Sequence, residues 1–151
     1  MALPDTLDLE RFLPYRLSVL ANTVSRSIAR LYADRFDLTI PEWRVMAVLG
    51  RFGPLTANEL CGRTAMDKVR ISRAVARLLR ARRLTRRVER ADRRRARLDL
   101  SAQGRAVYRD IVPLARAAES RLLATLTKAE KAQLHDLVGA LQAHAEAFTS
   151  P

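Results

Sequence analysis

The sequence has little cysteine, little histidine and few aromatic residues. Its single cysteine, Cys61, excludes an intramolecular disulfide framework and a cysteine-rich zinc site. The two histidines, His135 and His144, lie near the C-terminus, far in sequence from Cys61. The sequence also lacks a glycine-rich phosphate loop and a cluster of acidic metal ligands. We therefore expect no catalytic residues, no metal site, no cofactor and no enzymatic activity.

Long apolar runs are absent as well. No run approaches the ~18 residues that a membrane span requires, and the first ten residues are acidic, unlike a secretory signal. These features predict a cytoplasmic protein with no membrane partner. Hydrophobic residues make up 48% of the chain, which is enough for a core and argues against wholesale disorder. A length of 151 residues fits one domain.

Positive charge is concentrated in one segment of the chain. The 28 Lys and Arg residues exceed the 16 Asp and Glu residues, for a net charge of +12. Residues 63–97 hold fifteen basic and three acidic residues and therefore carry the whole excess. A face that is only solvated would rarely carry the whole excess of positive charge, so the segment indicates a polyanionic partner. Because no aromatic residues are interleaved to stack single-stranded bases, double-stranded DNA is favoured over RNA. A membrane surface is disfavoured because the apolar faces of this segment are needed for a core rather than for lipid.

The spacing of apolar residues predicts a mainly α-helical chain. Apolar positions three and four residues apart predict a first helix from residue 13 to about residues 34–37. A second helix fits residues 40–50, with Thr39 as its N-cap and Gly50 at its end. Ser101 caps a long helix that Pro113 should kink. A capping box over residues 127–130 precedes the last helix.

The middle of the chain combines short helices with a hairpin. A capping box over residues 56–59 opens one short helix, and Asp67 caps the next. The inner stripe of that next helix is Ile71, Val75 and Leu78. Alternating residues 84–89 and 97–100 predict two strands joined by a basic tip. Since an isolated hairpin is only marginally stable, we expect it to pack against the helices.

A helix, a turn, a cationic helix and a basic hairpin are typical of a winged helix-turn-helix. The second helix of such a motif enters the DNA major groove, where arginines such as Arg70 and Arg73 can pair with guanine. The hairpin tip can follow the backbone or enter the minor groove. The hydroxyls of Ser72, Thr56 and Thr64 can bind phosphates. The fold class predicted is mainly α, with a two-stranded β-wing and N- and C-terminal dimerisation helices.

Three features together resemble the multiple antibiotic resistance regulator (MarR) family. They are the order of elements, the string AMDKVRISRAVARLL, and a wing with Asp92-Arg93-Arg94 followed by LDLSAQGRAVY. The resemblance covers residues 9–148 and implies a dimeric protein that is all-helical apart from the wing and usually a repressor. Arg83 stands where many members have glycine, so we expect a differently shaped helix end there.

The resemblance also implies roles for individual residues. Asp92 would brace the wing turn and Arg94 would meet DNA, while Lys68 and Val69 would join the recognition helix. The predicted DNA-binding residues are Thr56, Thr64, Lys68, Val69, Arg70, Ser72, Arg73, Arg77, Arg87, Asp92, Arg93, Arg94 and Arg95.

We predict a single domain over residues 1–151, with a DNA-binding lobe at residues 40–100 and dimerisation helices at residues 9–36 and 101–148. The outer helices are long and amphipathic, and DNA readers of this kind use two-fold symmetry to read palindromes. A homodimer is therefore expected. The candidate interface residues are Phe12, Leu13, Leu122, Leu126, Leu134, Leu137, Leu141 and Phe148.

Members of the family commonly bind small aromatic acids or their thioesters in a cleft beside the DNA-binding lobe. The resemblance thus implies a small aromatic or phenolic effector. Candidate ligand residues are Tyr15, Arg16, Arg26, Trp43 and Met46, because arginine pairs with a carboxylate and an aromatic ring offers a face. Two alternatives stay open here: Trp43 can belong to the core, and the arginines can be salt-bridged or solvated.

The sequence thus predicts a ligand-responsive transcriptional regulator, a repressor that binds a palindromic operator as a homodimer and is released by its effector. One alternative is a redox-sensing repressor that uses Cys61, which would need a lowered thiol pKa and solvent access. Another is an architectural DNA binder that takes no ligand.

Overall fold

The structure, a computed structural model, describes residues 6–92 and 95–149. It confirms the mainly α-helical winged helix-turn-helix fold. The chain divides into two compact units whose boundary falls between Leu114 and Ala115, inside α5. The elements, in chain order, are α1 (Leu13–Phe36), α2 (Ile40–Phe52), β1 (Leu55–Thr56), α3 (Ala57–Thr64), α4 (Lys68–Arg80), β2 (Leu84–Val88), β3 (Ala96–Leu100), α5 (Ala102–Leu122) and α6 (Lys128–Thr149).

The helices begin where the capping residues predict. Thr39, Thr56 and Thr127 each accept a hydrogen bond from the backbone amide of a glutamate three residues later. Each of these glutamates accepts in return from the backbone amide of the capping threonine. Asp67 accepts from the amide of Arg70 at 2.8 Å and caps α4. These local contacts satisfy amides that a helix start leaves unpaired.

The prediction that Gly50 ends α2 is wrong, because the helix continues to Phe52. The reason for glycine at this position lies elsewhere in the fold. A Cβ atom on Gly50 would come within 2.5 Å of the Tyr108 ring. Gly50 therefore allows α5 to pack closely against α2.

The sheet has three strands, one more than predicted. The antiparallel order is β1-β3-β2, with Leu55 opposite Leu98 and Leu84 opposite Leu100. Strand β1 was missed because two residues are too few to show alternation. By pairing with β3 it ties the wing to the start of α3, which supports the hairpin.

A hydrophobic core packs the middle helices against the sheet. It joins α2, α3 and α4 to the base of the sheet through Val45, Met46, Leu49, Leu60, Ile71, Leu78, Leu84, Leu98 and Leu100, with Tyr32 and Ile111 from the flanking helices. In α4 the buried residues are Ile71, Ala74 and Leu78, whereas Val75 is only half-buried. The apolar face of α4 is therefore rotated slightly from the predicted stripe.

Helix α4 ends in a Schellman motif that is joined to the start of α5. The amides of Arg82 and Arg83 donate to the carbonyls of Leu79 and Leu78, and Arg82 has a left-handed φ of 58°. The hydroxyl of Ser101 donates to the Arg82 carbonyl at 2.6 Å. A Cβ atom on Gly104 would lie 2.0 Å from the Arg83 carbonyl oxygen, so only glycine allows this approach.

Candidate nucleic-acid interface

Helix α4 has a cationic face opposite its buried stripe. At about 100° per residue, Val69, Arg73, Ala76 and Arg80 point away from Ile71, Ala74 and Leu78. All four outward residues are exposed, Val69 at 59%. Arg80 was not among the predicted DNA-binding residues, although it lies seven residues after Arg73 and the helical wheel alone identifies it. This face can enter a major groove without disturbing the core.

Arg70 and Arg77 lie on the flank of α4 that faces α2. Arg77 Nε is 3.3 Å from Glu42 Oε1. Arg70 lines a cavity of about 410 Å³ together with Arg26 of α1 and Arg44 of α2. Arg44 also donates to the Ser25 hydroxyl at 3.1 Å. The two arginines are thus oriented toward neighbouring helices and differ in this respect from Arg73.

Lys68 and Ser72 lie on the opposite flank of α4, toward the wing. They line a second cavity of about 410 Å³, which also includes Cys61 of α3 and Arg86 of β2. Lys68 and Ser72 are both exposed. Cys61 is half-buried and has no disulfide partner.

The hydroxyls of Thr56 and Thr64 are engaged within the protein. Thr56 Oγ1 accepts from the Glu59 amide at 3.2 Å, and Thr64 Oγ1 donates to the Leu60 carbonyl at 2.6 Å. The Thr64 hydroxyl proton is therefore already used in this conformation. The Thr56 side chain also hydrogen-bonds the Glu59 carboxylate and thereby helps to lower the pKa of Glu59.

The wing is braced by ionic contacts where its strands meet the tip. Arg97 Nε is 2.6 Å from Glu89 Oε1, and Arg97 Nη1 is 3.9 Å from Glu59 Oε2. The hydrogen bond with Glu89 raises the pKa of Arg97. The Thr56 amide, which donates to the Glu59 carboxylate, lowers the pKa of Glu59. The sequence does not predict that Arg97 forms these ion pairs, because its partners lie outside its own strand.

The turn of the wing begins at Asp92. The Arg95 amide donates to the Asp92 carbonyl, and the Glu89 amide donates to the Arg95 carbonyl, both at 3.0 Å. Asp92 and Arg95 are exposed, and so is Arg87 on β2, opposite Arg97 in the strand register. The predicted contacts Arg93 and Arg94 lie outside the described residues.

The candidate ligand residues are found in separate places. Trp43 stacks between Tyr32 and Tyr108, at ring-centre distances of 5.7 and 6.0 Å. Burial raises the pKa of Tyr32 to about 12. Met46 is fully buried in the core and has no surface to offer a ligand in this conformation. Trp43 and Met46 are thus packed with core residues, as the open alternative for Trp43 anticipated.

The remaining three ligand candidates lie along α1. Tyr15 and Arg16 line a shallow, mainly apolar cavity near the start of α1. Arg26, further along the helix, lines the cavity that also contains Arg44 and Arg70. The five candidates are therefore not brought together, and Arg26 shares its cavity with Arg70 of α4.

Each unit of the chain carries exposed apolar side chains. In the first unit, Phe12 and Leu13 are 39% and 47% exposed. In the second unit, α6 has no buried residue over Lys128–Thr149. Of the other interface candidates, Leu126 is half-buried, and the exposed ones are Leu122, Leu134, Leu137, Leu141 and Phe148.

In the part of the chain that the structure describes, no group of three or more His, Cys, Asp or Glu side chains is placed to hold a metal ion. Within the same residues, none of the helices has both the length and the apolar character needed to cross a membrane.

Comparisons with known proteins find relatives by sequence and by fold. A sequence model of the MarR family matches residues 36–95, which run from the end of α1 to the wing. A probable transcriptional regulator from Pseudomonas aeruginosa is 30% identical, with a TM-score of 0.70 over 86% of this chain and 99% of that chain. A search of curated proteins finds no match.

Two further solved structures share the fold at lower identity. A MarR/EmrR family regulator from Acinetobacter sp. ADP1 is 23% identical, with a TM-score of 0.85 over 93% of this chain and 99% of that chain. Bordetella bronchiseptica BpsR, whose DNA binding is regulated by 6-hydroxynicotinic acid, is 21% identical, with a TM-score of 0.71 over 84% and 98%. From its fold, its cationic helix and these matches, the chain belongs to the MarR family of transcriptional regulators.

Proposed function

We propose that this regulator is a homodimeric repressor that binds a palindromic operator and is released by a small aromatic acid or its thioester. The observation that carries the proposal is the outer face of α4. Arg73 and Arg80 are exposed there, opposite the buried Ile71, Ala74 and Leu78. The basic wing follows directly in sequence, so one lobe offers a base-reading helix and a backbone-binding hairpin.

The exposed apolar residues support a homodimer. A 22-residue helix with no buried side chain, such as α6, leaves residues like Leu137 and Leu141 in contact with water. Burying them against a second copy would stabilise both chains by the hydrophobic effect. In such a dimer, two copies of α4 would read half-sites about one DNA turn apart, ~34–36 Å.

The cavity between α1, α2 and α4 supports an anionic effector. It is lined by three arginines, Arg26, Arg44 and Arg70, with no acidic residue among its lining. Guanidinium groups pair with carboxylates through two parallel hydrogen bonds. A ligand that releases DNA must prefer one arrangement of the dimer over another. Because Arg70 belongs to the recognition helix, an acid bound there would act directly on α4.

DNA binding is tested by in vitro selection from random duplexes, followed by fluorescence anisotropy on the selected duplex. We expect log affinity to fall steeply with log salt, by about 0.9 for each phosphate neutralised. Arg73→Ala should relax the base preference, at a cost of about 1–3 kcal/mol for the lost base contact. Arg87→Ala should weaken binding to all sequences equally. Salt-independent binding would contradict the proposal.

The effector is tested by thermal unfolding with 6-hydroxynicotinate, benzoate and the neutral control benzamide. A ligand at one hundred times its Kd stabilises the folded state by about 2.7 kcal/mol. We expect the two acids to raise the Tm, benzamide to leave it unchanged, and Arg26→Ala to weaken the response. If no acid has an effect while DNA binding persists, an architectural DNA binder is the better description.

A further inference from the structure

Glu42 is a buried carboxylate at the start of α2. It is 3% exposed, although it lies in a lobe rich in surface charge. Its Oε2 accepts from the Thr39 backbone amide at 2.7 Å and from the Thr39 hydroxyl at 2.5 Å. Its Oε1 lies 3.3 Å from Arg77 Nε. The Arg77 side chain is half exposed, whereas the Glu42 carboxylate is buried. Because a buried carboxylate is stabilised by a cationic partner, Glu42 ties the Arg77 guanidinium to the start of α2.

The position of Arg77 on α4 also separates it from the outer face. At about 100° per residue, Arg77 lies roughly 80° around the helix from Val69, on the flank toward α2. Arg73 and Arg80 lie at smaller angles from Val69 around the helix axis and are therefore nearer the centre of the outward face. The guanidinium of Arg77 is thus directed toward the first turn of α2, while its neighbours on α4 are free to meet DNA.

We propose that Arg77 is a positioning residue, held by Glu42, that fixes the recognition helix against α2 and supports operator binding without touching DNA. This role replaces the direct DNA contact that the sequence suggested for Arg77. Glu42 also binds Thr39, in the turn between α1 and α2, so one carboxylate joins that turn to α4. The inference rests on the proposed DNA-binding function.

The two roles for Arg77 predict opposite results for Glu42→Gln. This substitution removes one negative charge near a surface that binds a polyanion, and it keeps an oxygen acceptor for the Thr39 amide. If Arg77 bound phosphate, releasing it from Glu42 would leave DNA affinity unchanged or raise it. If Arg77 is a positioning residue, the same substitution lowers affinity for the operator.

The test compares two duplexes of equal length, the one selected by the wild-type protein and one of alternating A and T. We expect Glu42→Gln and Arg77→Met each to weaken binding to the selected duplex about tenfold. Binding to the alternating duplex and the slope of log affinity against log salt should stay as in wild type. The double variant should bind no more weakly than Arg77→Met alone.

Arg80→Met is the matched control, because it removes the same charge from α4 without touching Glu42. Adding Glu42→Gln to Arg80→Met should produce the full tenfold loss, whereas adding it to Arg77→Met should produce none. Three results would each overturn the inference. They are an unchanged or higher operator affinity for Glu42→Gln, additive effects of Glu42→Gln and Arg77→Met, and a salt slope reduced by about 0.9 in Arg77→Met.

Circular dichroism of each variant checks that the measurements are made on folded protein. If Arg77→Met does not fold, the sign of the Glu42→Gln effect on the selected duplex decides the question alone. If the wild-type protein enriches no duplex at all, the proposed function fails, and this inference fails with it. That result is distinct from the three above, all of which require a wild-type protein that binds its operator.

Discussion

At the scale of single residues, several charged side chains of the DNA-binding lobe are held by partners in other elements. Arg77 is paired with Glu42 of α2, and Arg97 joins Glu89 of the wing to Glu59 of α3. Sequence identifies these residues as charged but not as paired, because their partners are 35, 8 and 38 positions away. Met46 illustrates the same limit, since its burial depends on how α2 packs.

Glu59 gives a pH-dependent prediction at this scale. Its pKa lies below the ordinary value of 4.5 in the folded protein, chiefly because the Thr56 amide donates to it. A lowered pKa means that Glu59 stabilises the fold above pH 4.5 and that this stabilisation disappears as the pH falls through the lower value. Since Glu59 is about half exposed, Glu59→Gln should lower the free energy of unfolding at pH 7 by only a few tenths of a kcal/mol.

Urea unfolding of wild type and Glu59→Gln at pH 7, 5, 4 and 3 measures this effect. The difference between the two proteins should shrink below pH 4.5. Glu119→Gln removes the same charge from an exposed position in α5 and serves as the control. A difference that grows on acidification would contradict the assignment.

At the scale of elements, the starts of helices could be predicted because the signals are local. In a capping box the threonine side chain accepts from the glutamate amide, and the glutamate side chain accepts from the threonine amide. Both contacts are made within four residues and do not depend on the rest of the chain. Ends and pairings depend on distant contacts. Gly50 suggested a helix end, yet it is glycine because the Tyr108 ring lies against it. Strand β1 exists only because β3 offers it a partner.

The end of α4 yields a prediction about its left-handed residue. Arg82 has a φ of 58°, a conformation that glycine adopts without the steric penalty of a side chain. Arg82→Gly should therefore raise the free energy of unfolding by about 1 kcal/mol. Denaturant unfolding measures the change, and Arg80→Gly, inside the same helix, should instead destabilise by a similar amount. Destabilisation by Arg82→Gly would contradict this view of the helix end.

At the scale of the whole molecule, charge and apolar surface are separated along the chain. Residues 63–97 carry the entire net charge of +12, and α6 carries a row of exposed apolar residues. Composition and periodicity were sufficient to predict both features. They could not show that Arg26, Arg44 and Arg70 line one cavity, because a cavity is made by side chains from several elements.

The proposed dimer leads to a prediction at this scale. Leu137→Glu places a charge in the apolar row of α6 and should convert the protein from twice its 17.0 kDa chain mass to a monomer. Light scattering after size-exclusion chromatography measures the mass. Val69→Glu, on the exposed face of α4, should remain a dimer and lose DNA binding. If the Leu137→Glu protein keeps the mass of the wild-type dimer, α6 is not part of the dimer interface.

The joint between α4 and α5 has a consequence for how such regulators diversify. Leu100 is buried, Ser101 binds the carbonyl of Arg82, and Gly104 lies against the carbonyl of Arg83. The leucine, serine and glycine of LDLSAQGRAVY, one of the three features that resemble the family, are thus constraints of assembly. This part of the resemblance reflects how the lobe is attached to α5. Substitutions on the outer face of α4 leave these contacts intact, so under the proposed function base preference can change while the attachment is kept.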